Sequence, residues 1–143
     1  MSLYLDASVL VALLTHDPLT ARAEAFFRAH TPSLVVSDFA AAEFASALAR
    51  RVRTEDLTEA EARSAFTTLD TWAARATQRA ETTPADVAAA GAYLRRLDLT
   101  LRTPDALNIA IAQRVGADVA TFDTKMAVAA RALGLAAPAL MPA

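Results

Sequence analysis

The feature that most constrains the fold is the opening stretch, Leu3-Tyr4-Leu5-Asp6-Ala7-Ser8-Val9-Leu10-Val11-Ala12-Leu13-Leu14. Two apolar runs, each too short to cross a membrane, are separated by a carboxylate, a small residue and a hydroxyl. The first run reads as a buried strand ending at Asp6. The second reads as a helix beginning near Ser8, because Ser can cap a helix and the spacing that follows suits one. Strands buried on both faces belong to parallel sheets covered by helices. Asp6 then stands at the carboxyl end of a strand, the edge at which open α/β sheets bind ligands.

The rest of the chain keeps this alternation. Asp17-Pro18 opens a second helix with Leu19, Ala23, Phe26 and Phe27 at helical spacing, and His30-Thr31-Pro32 ends it. Leu34-Val35-Val36 is a β-branched run bounded by Ser33 and Ser37, and so a second strand. Ser37-Asp38 caps a helix reaching Val52, with Phe44, Leu48 and Val52 as its apolar line and Glu43 at the margin of that line. Thr58-Glu59-Ala60-Glu61 opens a helix to Ala76. The segment Thr77 to Thr82 is ambiguous and can hold a short strand. Thr83-Pro84 starts a helix to Leu97 and Thr103-Pro104-Asp105 one to Val115, stopped by Gly116. Ala117 to Phe122 reads as a strand, Asp123 lies just beyond it, and Lys125 to Leu133 forms a helix closed by Gly134. The tail, Leu135 to Ala143, is expected to add an edge strand. A three-layer α/β/α sandwich with a mostly parallel central sheet follows, since hairpin signals are too few for an all-β fold.

Composition limits what such a sheet can serve. With 143 residues, 55% hydrophobic and 21% charged, the chain is expected to form one domain, 1–143, around one core. A net charge of −2 gives no global nucleic-acid signature, although thirteen of the fourteen basic residues are Arg, which suits bidentate phosphate contacts. Arg50, Arg51 and Arg53 form a local cluster and are candidate RNA-phosphate ligands. The absence of Cys excludes disulfides, thiolate chemistry and Cys-based zinc sites. Without a signal-like n-region or an apolar stretch of about 18 residues, a soluble, cytoplasmic protein with no membrane contact is expected. Three Gly and no Gly-rich loop argue against nucleotide-cofactor folds.

Three more carboxylates can be argued onto the edge marked by Asp6. Asp123 follows a strand, Asp105 lies in the first turn of a helix, and Glu43 joins them if its helix crosses the same edge. Four carboxylates in one cleft repel each other, which raises their pKa values or calls for a cation. Oxygen ligands without His or Cys select Mg²⁺ or Mn²⁺ rather than zinc. Such ions leave coordination positions for phosphate oxygens and an attacking water, which is the chemistry of phosphodiester cleavage.

Four segments together give the chain a family likeness: Leu5-Asp6-Ala7-Ser8, Ser37 with Glu43 six residues later, Thr103-Pro104-Asp105-Ala106-Leu107, and Ala120-Thr121-Phe122-Asp123. In this order the set resembles the PIN-domain ribonucleases, and within them the VapC-like toxins of toxin–antitoxin pairs, over nearly the whole chain. The resemblance implies strand order 3-2-1-4-5, divalent-metal-dependent RNA cleavage, homodimerisation, and a small antitoxin that occupies the site. Carried over residue by residue, Asp6, Glu43, Asp105 and Asp123 would be the catalytic and metal-binding set, with Ser8 and Thr121 as polar supporters. Asn108 stands where many relatives carry His, and is read as a substrate contact.

Taken singly, these residues have plainer readings. Asp6 is equally a helix cap, Asp105 a first-turn acid favoured by the helix dipole, Glu43 a solvated or Arg50-paired residue, and Asp123 a turn residue. Ser8 and Thr121 read as caps or core hydroxyls. Rival functions are weaker. A phospho-acceptor domain would want paired acids beside Asp6, and a haloacid-dehalogenase-type phosphatase would want a second Asp where Ser8 stands. The remaining alternative is a non-catalytic PIN-like RNA-binding or scaffold domain.

Overall fold

In the computed structural model, which describes residues 1–140, the apolar run at the start is strand β1 (Ser2–Leu5), followed by α1 (Ala7–Leu14) and α2 (Thr20–His30). Next come β2 (Ser33–Ser37), α3 (Asp38–Arg53), α4 (Glu59–Ala76) and β3 (Gln78–Ala80). The chain continues through α5 (Pro84–Arg95), α6 (Thr103–Arg114), β4 (Asp118–Ala120) and α7 (Thr124–Ala132). The sheet has four strands in the order β3-β2-β1-β4, every pair parallel. Tyr4 is opposite Val35 on one side and Val119 on the other, so β1 is central. Leu3, Tyr4 and Leu5 are fully buried, as a strand covered on both faces must be.

The helices divide into two groups. Helices α1 to α4 pack on one another, while α5 and α6 form a hairpin of their own. Phe44 of α3 meets Phe66 of α4 edge-to-face at 6.3 Å, and Leu48 and Leu69 are buried in the same cluster. Helix α6 is buried far beyond the expected Leu107, Ile111 and Val115 stripe: Ala106 through Ala112 are all inside. Small Ala residues on several faces let it lie between the sheet and α5. Asp86, buried on α5, binds Arg114 of α6 through Nε at 2.8 Å and Nη2 at 3.1 Å. Arg114 also donates to the Glu81 carbonyl at 2.6 Å, so one guanidinium joins α6, α5 and the end of β3.

The ends of the expected sheet differ in one respect. Order 3-2-1-4 is present, but residues 135–140 do not form the fifth strand, and 141–143 lie outside the described residues. Val119 N–H donates to the Ala136 carbonyl at 3.0 Å, the one backbone hydrogen bond between β4 and the tail among the described residues. The Ala136 N–H turns instead to the Asp118 side chain, and Pro138 has no N–H with which to extend a ladder. No helix among the described residues is long and apolar enough to cross a membrane.

Candidate active site

The carboxyl ends of β1 and β4 bring two Asp residues to the same place by the same local device. Asp6 ends β1 and caps α1, its Oδ1 accepting from Val9 N at 3.1 Å. Asp123 follows β4 and caps α7, its Oδ1 accepting from Lys125 N at 2.9 Å and Met126 N at 3.2 Å. The cap of α1 is therefore Asp6 and not Ser8. Ser8 does something else: its hydroxyl donates to Asp6 Oδ1 at 2.6 Å and accepts Phe122 N–H at 3.0 Å. Thr121 mirrors it, donating to Asp6 Oδ2 while accepting Asp123 N–H at 2.9 Å. Two hydroxyls thus clasp one carboxylate and tie it to the β4–α7 loop. Burial pushes the Asp6 pKa up, and repulsion from Asp123 adds to it, against the hydrogen bonds from Ser8, Thr121 and Val9 that lower it.

Glu43 reaches this edge from α3, about one and a half turns past the Ser37 cap, and is half-buried. Its Oε1 accepts from Asn108 Nδ2 at 2.7 Å. Burial raises its pKa, Asn108 lowers it, Asp6 and Asp105 raise it, and Arg102 lowers it. Asp105, in the first turn of α6, accepts weakly from Arg102 N at 3.4 Å and lies 3.8 Å from Arg102 Nε. Asp105 and Asp123 line a cleft of about 390 Å³ together with Arg102, Lys125, Thr100 and Leu101. The four expected acids are therefore gathered at one sheet edge, linked pairwise by charge.

The remaining candidates fall elsewhere. Asn108, read from the sequence as a substrate contact, is only 2% exposed. Its neighbours are Glu43, the Pro104 carbonyl and the Tyr4 hydroxyl. Arg50, Arg51 and Arg53 lie in the last turn of α3, about 10–15 Å further along the helix axis than Glu43 at 1.5 Å per residue. Arg51 lines a second groove with His16, Asp56 and Glu61, and its Nη1 is 3.4 Å from Thr15 Oγ1. The cations that do border the acidic cleft are Arg102 and Lys125. Arg102 could have been found from its position immediately before Thr103-Pro104-Asp105. Lys125 was visible two residues after Asp123. Tyr4 gave no signal, since in a strand it reads as one more apolar residue.

The donor set at this edge consists of carboxylate and hydroxyl oxygens, which suits a hard divalent ion. Among the described residues no three His, Cys, Asp or Glu side chains converge tightly enough to enclose an ion by themselves. Mg²⁺ commonly keeps several waters and takes one or two protein carboxylates.

An α/β/α sandwich with acids at the carboxyl edge of its parallel sheet is the class of protein that these elements define. The profile described as the PIN domain matches residues 3–132, and the chain belongs to that family. Comparison with curated protein sequences gave no match. Among solved structures, the fold is similar to VapC20 of Mycobacterium tuberculosis, described as a sarcin-ricin loop cleaving toxin. The TM-score is 0.72 at 19% identity, covering 93% of this chain and 95% of that one. It is also similar to FitAcB from Neisseria gonorrhoeae (TM-score 0.74, 18% identity, 96% and 97% covered). A third is VapBC2 from Rickettsia felis, solved with a DNA fragment from its promoter (0.69, 15%, 96% and 98%).

Proposed function

We propose that this chain, 1–143, is one PIN-like domain acting as a Mg²⁺- or Mn²⁺-dependent endoribonuclease, the cytoplasmic toxin component of a toxin–antitoxin pair. The observation that carries the reading is the meeting of four carboxylates from four separate segments at one sheet edge. Asp6 feels Asp123, and Glu43 feels Asp6 and Asp105. Charges crowded in a partly desolvated cleft are unfavourable unless a cation offsets them. PIN-family membership and the likeness to toxin structures support the same reading.

Asp6, Glu43, Asp105 and Asp123 would hold the ion, one or two of them directly and the others through its waters, and when bound it supplies the Lewis acidity needed for water to hydrolyse a phosphodiester. The chain's own residues do the rest. Ser8 and Thr121 hold the Asp6 carboxylate in one orientation, so no reorganisation is needed when substrate arrives. Arg102 and Lys125 offer positive charge to a phosphate entering the cleft. Arg50, Arg51 and Arg53 would meet phosphates of the same RNA further from the bond that is cut. A cognate antitoxin would place an Arg or Lys among the carboxylates and displace the ion, and the active species would be a homodimer.

The direct experiment incubates purified protein with a panel of RNAs in chelator, Mg²⁺ or Mn²⁺. Brief induction in cells, followed by mapping of new RNA 5′ ends, identifies the RNA and the site cut. Cleavage should require the ion, and co-expression with the neighbouring small open reading frame should suppress toxicity. RNA binding with no cleavage under any ion would instead establish the non-catalytic, RNA-binding alternative. A protein that cleaves RNA but is harmless alone would keep the nuclease and lose the toxin.

A further inference from the structure

Asn108, Tyr4 and Ser37 form a buried hydrogen-bonded chain whose direction can be worked out from atom types alone. Asn108, Tyr4 and Ser37 are 2%, 0% and 1% exposed. Asn108 Nδ2 lies 3.0 Å from the Pro104 carbonyl, which can only accept, so the atom facing it must be the nitrogen. The amide NH₂ therefore spends one proton on Pro104 O and the other on Glu43 Oε1 at 2.7 Å. Asn108 Oδ1 faces the Tyr4 hydroxyl, so Tyr4 must donate to it. Ser37 Oγ lies 2.6 Å from Tyr4 Oη and already accepts Ala40 N–H at 2.9 Å, leaving its own proton for Tyr4 Oη. The order is Ser37 to Tyr4 to Asn108 to Glu43. No buried polar side-chain atom among the described residues is left unpaired.

We infer that Asn108 and Tyr4 are positioning residues: Tyr4 locks the Asn108 amide in the orientation that holds the Glu43 carboxylate by Oε1. The chain starts at the β2–α3 junction, where Ser37 caps the very helix that carries Glu43. It runs through central strand β1 to Asn108 on α6, which carries Asp105, and returns to Glu43 on α3. Three elements that contribute acids are thus locked in register by one buried set of hydrogen bonds. Without the Tyr4 hydroxyl Asn108 Oδ1 loses its donor, and the amide is held only by its bonds to Pro104 O and Glu43 Oε1, so its tilt toward Glu43 is no longer fixed from the far side. The consequence for ion binding rests on the metal-site reading above, whereas the geometry of the amide does not.

Two measurements keep these apart. The first follows the Asn108 side-chain NH₂ by ¹H–¹⁵N NMR in chelator. The native protein should show two inequivalent, slowly exchanging protons. Glu43→Gln should move one of them and leave the other, and Tyr4→Phe should shift both and speed their exchange. Asn108 signals unchanged in both variants would overturn the inference whatever the protein does with metal. The second follows Mn²⁺ binding through the rise in melting temperature, which reports affinity for the native state. Tyr4→Phe should weaken Mn²⁺ binding by roughly 10-fold, the scale seen when a residue orienting a ligand is removed. In a Glu43→Gln background, Tyr4→Phe should cause no further loss, because the two act through one contact. Ser37→Ala should act in the same direction, more weakly. An equal loss from Tyr4→Phe in both backgrounds would show a general structural role and overturn the inference. A parent protein that binds no Mn²⁺, with the amide signature intact, would reject the metal site and retain the positioning chain.

Discussion

In the metal-free protein, Asp6→Asn removes one charge from the acidic edge and keeps a residue that caps helices as well as Asp does. Sequence reasoning finds Asp6 by its place after a buried strand but leaves the cap of α1 between Asp6 and Ser8. Both residues are capping types, and only the closing of β4 beside β1 shows that the Ser8 hydroxyl is committed to Asp6 and Phe122. The burial of Asn108 is not legible for a similar reason, because it depends on α3, α6 and β1 meeting. The Asp6 substitution has a pH signature with a definite sign. Burial and Asp123 raise the Asp6 pKa above its unfolded value of about 3.9. A raised carboxylate contributes stability that is complete below the unfolded pKa and is lost as pH rises through the folded one. The stability of Asp6→Asn relative to the parent, measured by urea unfolding in chelator, should therefore grow as pH rises from about 4 toward neutrality. The amide also meets Thr121 differently, which adds an offset that does not vary with pH. A difference that stays flat across that range would mean that Asp6 is not strained by its surroundings.

At the scale of elements, β1, β2, α3, α4 and α6 could be read from apolar runs and capping residues, because each signal is local. The short β3 was left ambiguous, since three residues with two exposed carry no periodicity. The tail was expected to be a strand from its apolar content, but among the described residues Pro138 and the Asp118 side chain leave it one backbone hydrogen bond to β4. The α5–α6 hairpin depends on a pair that no local pattern announces, Asp86 with Arg114. Burial alone would raise the Asp86 pKa, but the bonds from Arg114 and Thr83 outweigh it and hold the carboxyl below the usual range. That contribution is present above the unfolded pKa and is lost as pH falls through the folded one. Arg114→Met should destabilise the protein at pH 7, by less than the loss of a fully buried pair would because the Arg side chain is 38% exposed. The cost should shrink below about pH 4. Denaturant unfolding at both pH values measures this, and a cost that is unchanged in acid would place the effect in packing rather than charge.

For the whole molecule, the order of the acids along the chain was legible as a set, while their grouping required the parallel sheet to bring β1 and β4 side by side. Cation placement was legible only in part, through the closeness of Arg102 and Lys125 to Asp105 and Asp123 in the sequence. Arg50, Arg51 and Arg53 stand out in the sequence, yet Arg102 and Lys125 border the acids. Replacing Arg102 and Lys125 by Gln should lower the slope of log affinity against log salt for single-stranded RNA by about 1.4, at about 0.7 per phosphate contact. The triple Ala variant at 50, 51 and 53 should lower it further if those residues touch the same RNA, and an unchanged slope would assign them to another surface. The central claim, that the carboxylate edge is a metal site for RNA cleavage, is tested most directly by thermal unfolding in chelator and in Mn²⁺, with cleavage measured on the same samples of parent and Asp6→Asn. The account expects Mn²⁺ to raise the parent's melting temperature, to raise that of the variant much less, and to support cleavage by the parent alone. Equal metal response in both proteins, with cleavage retained by the variant, would contradict it.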